Sequence, residues 1–190
     1  MSEDQFVAFA YDLFGQLLQP PLRVERGANL LYQITVDNRL RVTGDPRRPM
    51  RGQSAFQTDL CVFDDVTPDT SLPRVVFEFK KSITTHDVLT YSAKARKHKQ
   101  IYPYLRYGLV ASADATIPRR FFTHNEALDS FLALGGITQG DLVASFGDLL
   151  VAEVMASRRL EAMIFGSDTA RLFRTAVVFG HESPKPSSSQ

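Results

Sequence analysis

The stretch of sequence that decides the fold is Arg74-Val-Val-Phe-Glu-Phe-Lys-Lys81. Its β-branched and aromatic residues favour an extended strand. Alternate side chains of a strand point to the same face, so Val76, Glu78 and Lys80 share one face and the apolar residues between them share the other. The segment therefore predicts a strand that carries an acidic and a basic side chain together near its end.

Hydrophobic periodicity on both sides of this strand predicts further strands and helices. Apolar residues at three- and four-residue steps indicate helices, whereas β-branched or aromatic runs indicate strands. Residues 64–73 have the composition of a turn, and residues 172–179 fit a strand or a helical extension equally well. We predict helices over residues 3–18, 87–100 (capped by Thr85), 125–134 and 142–164, and other strands over residues 30–36, 40–42, 56–63 and 107–112. This order predicts an α/β layer fold with a mixed sheet.

The overall composition is that of an ordinary globular protein, with 190 residues, 44% hydrophobic and 23% charged. We expect one domain over residues 1–180 and a disordered tail over residues 181–190, which are poor in apolar side chains. The start of the chain lacks the pattern of a secretory signal, and no apolar run reaches the ~18 residues of a membrane helix. A cytoplasmic protein with no membrane partner is expected. The one cysteine, Cys61, excludes an internal disulfide and a cysteine-based zinc site, and its apolar neighbours predict a core position.

A second acidic residue, Asp59, lies in the strand predicted before the 74–81 segment. If the two strands form a hairpin across residues 64–73, Asp59 comes to lie beside Glu78. Adjacent carboxylates repel each other unless a cation lies between them. Mg²⁺ suits such a pair because it binds one or two carboxylates and keeps several waters. Lys80 could then orient or deprotonate the attacking water, or stabilise charge in the transition state.

These residues resemble the PD-(D/E)xK nuclease superfamily, which includes many restriction endonucleases. The matching segment runs from Phe56 to Ser112, with Thr58-Asp59 in the place of PD and Glu78-Phe79-Lys80 as the (D/E)xK. Thr58 departs from the usual proline. The resemblance implies a three-layer α/β/α restriction-endonuclease-like fold with an αβββαβ core, followed here by C-terminal helices. It also implies a Mg²⁺- or Mn²⁺-dependent DNA endonuclease in which Asp59, Glu78 and the carbonyl of Phe79 bind the metal and Lys80 assists the attacking water.

Two further features are similar to parts of this superfamily. Gln100 and Tyr104 match a Gln-x-x-x-Tyr signature of its exonuclease branch, and one turn apart on a helix they would face one groove. Capping of the helix end explains the pair equally well. Some members carry an additional metal-binding carboxylate on the first helix. The candidates here are Glu3, Asp4 and Asp12, with Glu25 on the following loop, although an exposed polar face also explains them.

Basic residues surround the predicted site in the sequence. Those on the helix after it are Lys94, Arg96, Lys97, His98 and Lys99, and those in the loop before Asp59 are Arg47, Arg48 and Arg51. Lysine and arginine near a phosphodiester site neutralise phosphates, and arginine can read guanine. A solvated surface is the alternative for both groups. The neighbouring pair His86 and Asp87 suggests acid–base chemistry or, more simply, the start of a helix.

Two other functional hypotheses remain open at this level. A catalytically inactive nuclease-like domain could bind nucleic acid or a protein partner, and an accidental motif in an unrelated α/β protein would leave Asp59 far from Glu78. The long helix over residues 142–164 offers a homodimer surface, or equally a cover for its own sheet. Neither a phosphate-binding Gly-rich loop nor a Gly-x-Ser-x-Gly motif is present, so P-loop nucleotide hydrolysis and serine esterase chemistry lack support.

Overall fold

A computed structural model describes residues 2–173 and residue 177. Over these residues the chain is a mixed α/β protein with four helices and a central five-stranded sheet. The helices are α1 (Glu3–Leu17), α2 (Thr85–Ile101), α3 (Arg119–His124) and α4 (Gln139–Phe165). The strands are β1 (Leu22–Arg26), β2 (Asn29–Leu31), β3 (Thr35–Val36), β4 (Val42–Thr43), β5 (Ala55–Gln57), β6 (Leu60–Thr67), β7 (Thr70–Lys80), β8 (Arg106–Ala111) and β9 (Ser130–Ala133).

The central sheet has the strand order β1-β6-β7-β8-β9. β1, β6 and β7 are antiparallel neighbours, whereas β7, β8 and β9 run parallel. Helix α2 makes the crossover from β7 to β8, because parallel neighbours need a long connection. Two small antiparallel pairs, β2 with β5 and β3 with β4, lie outside this sheet.

Strand β7 is the middle strand of the central sheet, and helices cover both of its faces. Val76 belongs to the apolar cluster that contains residues of α2 and α3. Phe77 and Phe79 belong to the opposite cluster, with residues of α1 and α4. The alternation predicted for the 74–81 segment is thus confirmed. Phe146 of α4 lies against aromatic rings of α1 and β7, so α4 covers its own sheet with this side.

Several predicted elements are confirmed with small shifts. Helix 3–18 is α1, whose capping box is formed by Ser2. Helix 87–100 is α2, although Thr84 rather than Thr85 accepts the capping hydrogen bond. The strand at 74–81 begins earlier, at Thr70, and the strand at 107–112 is β8. Cys61 is buried in the core, as expected.

The helix predicted over residues 125–134 is wrong. The Asn125 side chain accepts hydrogen bonds from the backbone N–H groups of Ala127 and Leu128, which fixes a turn instead of a helical start. Ser130–Ala133 then forms β9 beside β8. The short helix that does occur, α3, precedes this turn and was missed.

Predictions for the first third of the chain were too coarse. The strand at 30–36 is divided into β2 and β3, and the strand at 56–63 is interrupted at Thr58 and Asp59. The turn at 64–73 is far shorter, since β6 and β7 extend to Thr67 and from Thr70. Strand β1 was missed. Most of residues 172–179 and all of the tail at 181–190 lie outside the described residues.

None of the helices described here is both long enough and apolar enough to cross a membrane.

Candidate functional site

Asp59 and Glu78 meet where β6 begins and β7 ends. Leu60 pairs with Phe77 in the antiparallel register, so the residue before Leu60 lies opposite the residue after Phe77. The carboxylate of Asp59 accepts a 2.8 Å hydrogen bond from the backbone N–H of Phe79. This contact replaces the ladder bond that β6 no longer provides and fixes Asp59 beside Glu78, as the sequence predicted.

Glu78 is 2% exposed and its Oε1 atom accepts two short hydrogen bonds. One comes from the Lys94 ammonium at 2.5 Å and the other from the Tyr107 hydroxyl at 2.5 Å. Burial raises the pKa of Glu78 to about 7, the Lys94 charge opposes this rise, and the Asp59 charge adds to it. The carboxylate is therefore held in a site that favours a nearby positive charge.

Lys80 lies on the same face of β7 and is held from two sides. Its ammonium donates a 2.8 Å hydrogen bond to Glu3 at the start of α1 and lies 5.8 Å from the centre of the Tyr91 ring. Burial lowers the pKa of Lys80, but the hydrogen bond to Glu3 and the contact with Tyr91 outweigh it, and the pKa is raised. Lys80 is therefore a permanent cation, which suits charge stabilisation rather than proton abstraction.

Among the acidic candidates on the first helix, Glu3 is the one in contact with the site. Asp4 instead forms an exposed ion pair with Arg26 at 3.0 Å. Asp12 lies on the exposed side of α1, two turns further along the helix. Glu25 lies on β1, not on a loop, and pairs with Arg23 at 2.9 Å.

The oxygen atoms at this edge suit a hard cation. The N–H of Phe79 points towards Asp59. Because the N–H and C=O groups of one strand residue point to the same side of the strand, the Phe79 carbonyl also points to the side on which Asp59 lies. Asp59 and Glu78 each offer a carboxylate oxygen in addition. Among the described residues there is no cluster of three or more His, Cys, Asp or Glu side chains able to hold a metal. Two carboxylates and a carbonyl fit Mg²⁺, which retains waters, better than a metal that needs a full protein cage.

Lys94 has a different place from the one predicted. The sequence assigned it to a DNA-binding helix face, but its ammonium points into the site, where it also donates to the Gln57 carbonyl at 2.6 Å. Tyr107 was not predicted at all. It pairs with Val76 on the neighbouring parallel strand, so its side chain is on the same sheet face as Glu78. The sequence could have indicated Tyr107 only through this alternation of side chains along β8, and only if the register between β7 and β8 had been known.

The other predicted nucleic-acid-binding residues are divided by the structure. Arg96 and Lys97 are exposed on α2, and Arg51 lies 3.4 Å from the side chain of Gln57 at the edge of the site. Lys99 is wrong for this role, because its ammonium is held by Asp129 at 2.6 Å.

The proposed Gln100 and Tyr104 pair is also contradicted. Helix α2 ends at Ile101, so the two residues do not lie one turn apart on a helix. Gln100 is exposed, whereas Tyr104 is buried under the Arg74 guanidinium, 5.5 Å from its ring centre. Arg74 precedes Glu78 on β7 by more than one pleat, and Tyr104 therefore packs away from the Asp59 edge.

The structure favours structural roles, rather than roles in the site, for the pair His86 and Asp87 and for His98. Asp87 accepts from the backbone N–H of Thr84 at 2.8 Å, which completes the capping box of α2, and His86 is exposed beside it. His98 is buried, and its Nδ1 atom lies 3.0 Å from the Leu31 carbonyl oxygen. Neither histidine touches the carboxylate pair.

Comparison with models of protein families gives no match for this chain, and no curated protein matches it either. A functional assignment therefore depends on the geometry at the end of β7.

Titration of the buried side chains of Glu78 and His98 changes the free energy of unfolding in opposite directions as pH rises. Because the folded-state pKa of Glu78 is about 7, above its usual 4.5, the folded protein holds that proton more tightly and stability falls as pH rises between these values. Burial lowers the pKa of His98 from 6.5 to about 4, so stability is gained as pH rises over that interval. Each effect is about 3 kcal/mol and they nearly cancel. We expect the Glu78→Gln variant to gain stability from pH 4 to 6.5 and His98→Gln to lose it.

Urea unfolding at several pH values between 4 and 7 measures both slopes. The wild-type protein, with both groups, serves as the control and should show a nearly flat profile. Equal slopes for the two variants would contradict the assigned pKa shifts.

Proposed function

We propose that this protein is a Mg²⁺-dependent phosphodiesterase of the PD-(D/E)xK type that cuts DNA as an endonuclease. The observation that carries the proposal is the meeting of Asp59 and Glu78 at one sheet edge with the Lys80 ammonium on the same face of β7. The order of elements around it, with three antiparallel strands, a crossover helix and a parallel strand, also agrees with a restriction-endonuclease-like fold.

Each residue has a role that follows from its contacts. Asp59, oriented by the Phe79 N–H, and ionised Glu78 would hold Mg²⁺ together with the Phe79 carbonyl. When bound, Mg²⁺ polarises the phosphoryl oxygen and lowers the pKa of a coordinated water. Lys80, kept protonated and in place by Glu3, presents its charge to the negative charge that develops on the phosphate. Lys94 neutralises Glu78 when the cation is absent.

DNA is the substrate that the family resemblance implies. Three exposed basic residues, Arg51 in the loop before Asp59 and Arg96 and Lys97 on α2, are suited to phosphate contacts, and Arg96 also lies 3.8 Å from the Glu126 carboxylate. Cleavage of both strands takes two active sites, and the outer side of α4, with exposed Val151 and Met155, offers a surface for a homodimer.

One contact favours the second candidate, a catalytically inactive nuclease-like domain that binds nucleic acid. The Lys94 ammonium already supplies a positive charge to Glu78 at 2.5 Å, so the buried carboxylate does not depend on a metal for neutralisation. An inactive domain keeps this ion pair permanently, whereas an active enzyme must release Lys94 from Glu78 when the metal binds.

The two candidates are separated by metal-dependent cleavage. We expect the full chain to nick supercoiled plasmid in the presence of Mg²⁺ or Mn²⁺ and not in EDTA. Ca²⁺ serves as the matched control, because it has the same charge and also binds oxygen ligands, but at longer distances and in a more flexible geometry than Mg²⁺. Plasmid binding without nicking under every metal condition would favour the inactive domain over the nuclease.

A further inference from the structure

Residues 27–58 form an insertion between two neighbouring strands of the central sheet, β1 and β6. The two ends of this insertion meet at the candidate site. Gly27 donates its backbone N–H to the carbonyl of Asp59 at 3.1 Å, and Thr58 donates to the carbonyl of Ala28 at 2.9 Å. Between these ends the chain makes the β2–β5 pair and then the small β3–β4 pair. A partner that binds the base of the insertion, where these ends meet, is therefore brought close to Asp59.

The insertion is basic. It contains five arginines and two acids, Asp37 and Asp45. Asp37 pairs with Arg41 at 2.7 Å. The other arginines, which form no ion pair with a carboxylate of the described residues, are Arg39, Arg47, Arg48 and Arg51. These guanidinium groups are exposed and available to an anionic partner.

The tip of the β3–β4 pair holds a leucine in an unusual conformation. Leu40 is 85% exposed and has a φ angle of 59°, in the left-handed region that disfavours residues with a Cβ. The side chain of Asp37 fixes this turn, because one oxygen accepts from the N–H groups of Arg39 and Arg41 at 2.8 and 3.0 Å. Leu40 therefore lies at an exposed turn, between Arg39 and Arg41, that the Asp37 side chain stabilises.

An exposed apolar side chain at a turn, flanked by arginines, is similar to the side chains that insert between bases. Proteins that kink duplex DNA place an apolar wedge between base steps while basic residues hold the neighbouring phosphates. Val42, 68% exposed on β4, extends the apolar surface behind Leu40. The strain at Leu40 has no packing benefit in the folded protein, since the side chain contacts mainly solvent.

We infer that the insertion is a duplex-binding element that inserts Leu40 between base pairs while Arg39, Arg47 and Arg48 contact phosphates. The choice of duplex nucleic acid rests on the proposed function, because the insertion begins and ends at the phosphodiesterase site. An anionic membrane surface would also attract arginines and an apolar tip, but it would not account for this position beside Asp59.

The test uses the full chain in EDTA, so that cleavage plays no part. Fluorescence anisotropy measures affinity for a duplex of about 20 base pairs with 2-aminopurine at a central TA step, the kind of step that unstacks most easily. We expect Leu40→Gly to weaken binding about tenfold and to abolish the rise in 2-aminopurine fluorescence that the wild type causes. The double variant Arg47→Ala/Arg48→Ala should lower the slope of log affinity against log salt by about 2.

Glycine is chosen because it accepts the left-handed conformation, so the fold is kept. The melting temperature of Leu40→Gly should equal or exceed that of the wild type, and Leu40→Asn, which also tolerates this conformation, provides a second variant. Leu40→Phe retains an apolar wedge and should retain the fluorescence rise. Val66→Asn removes an exposed apolar side chain near the far end of β6 and should bind as the wild type does.

The possible outcomes separate this inference from the nuclease. Equal duplex affinity and fluorescence for the wild type and Leu40→Gly would overturn the inserted leucine even if the protein nicks plasmid. If Leu40→Gly lost the wild-type binding to vesicles of phosphatidylcholine and phosphatidylserine while its duplex binding stayed unchanged, the inserted leucine would be overturned in favour of a membrane contact. The expected loss of duplex binding in a protein that never cleaves would support the element and remove only the enzymatic activity.

Discussion

Replacement of Lys94 by methionine is expected to lower the free energy of unfolding by about 3–5 kcal/mol. The methionine side chain nearly matches the stem of lysine but removes the ammonium that lies 2.5 Å from Glu78. Glu78 is almost fully buried, so it would be left either as an unpaired charge or as a protonated acid. Urea unfolding at pH 7 measures the loss.

Two comparisons show whether this loss comes from the ion pair. Lys97→Met changes an exposed lysine on the same helix and should alter stability by less than about 0.5 kcal/mol. The double variant Lys94→Met/Glu78→Gln removes both charges and should recover much of the loss. A Lys94→Met protein within about 1 kcal/mol of wild type would show that the pair is not formed as described.

The same variant also tests the cation site. If Mg²⁺ takes the place of the Lys94 ammonium at Glu78, it should raise the melting temperature of Lys94→Met more than that of the wild type, in which the ammonium competes. Equal responses of the two proteins would indicate that Mg²⁺ does not bind at this carboxylate.

The fold was predictable where a segment carries a strong pattern by itself. β7 combines β-branched and aromatic residues over a long run, and α1 and α4 repeat apolar residues at helical spacing. Short elements lacked such a pattern. β1, with its arginines and Glu25, reads as a polar loop and becomes a strand only because β6 supplies hydrogen-bond partners. The 125–134 segment carried a helical spacing, but pairing with β8 and the Asn125 turn determined its structure.

The candidate site was predictable to the extent that strand parity determines it. Glu78 and Lys80 share a face by alternation alone, and one hairpin is enough to bring Asp59 beside them. Lys94 and Glu3 reach the site through helices whose placement depends on tertiary packing, so spacing along the chain does not reveal their roles.

Misplaced residues show the same limit. Lys99 and Tyr104 lie close in sequence to exposed basic residues, yet Asp129 and Arg74 hold them elsewhere. A cluster of like residues in a sequence is therefore a weak guide to a shared surface, because a helix distributes its neighbours around the whole axis.

The Asp59→Asn and Lys80→Ala variants are each expected to reduce plasmid nicking by about 10²–10³-fold. Asparagine at 59 can still accept the hydrogen bond from Phe79, so the change removes the charge and leaves the local fold in place. Alanine at 80 removes the cation that Glu3 holds over the site. Initial rates of nicking in Mg²⁺, with variants purified side by side, measure both effects. Lys81→Ala, an exposed neighbour, is the control for non-specific effects of substitution and should retain wild-type activity, whereas equal nicking by all the variants would indicate a contaminating nuclease.

The pH dependence then separates the two roles that Lys80 could have. A lysine held protonated by Glu3 stabilises charge at every working pH, so Lys80→Arg should keep more activity than Lys80→Ala and give a rate profile of unchanged shape up to about pH 9. A lysine that abstracts the proton of water would instead give a rate that rises with pH through its own pKa, and arginine would remove that rise. Glu3→Gln removes the hydrogen bond that raises the pKa of Lys80, but a lysine with its ordinary pKa of 10.5 still stays protonated up to about pH 9. Its rate profile should therefore also keep the wild-type shape if Lys80 acts through its charge.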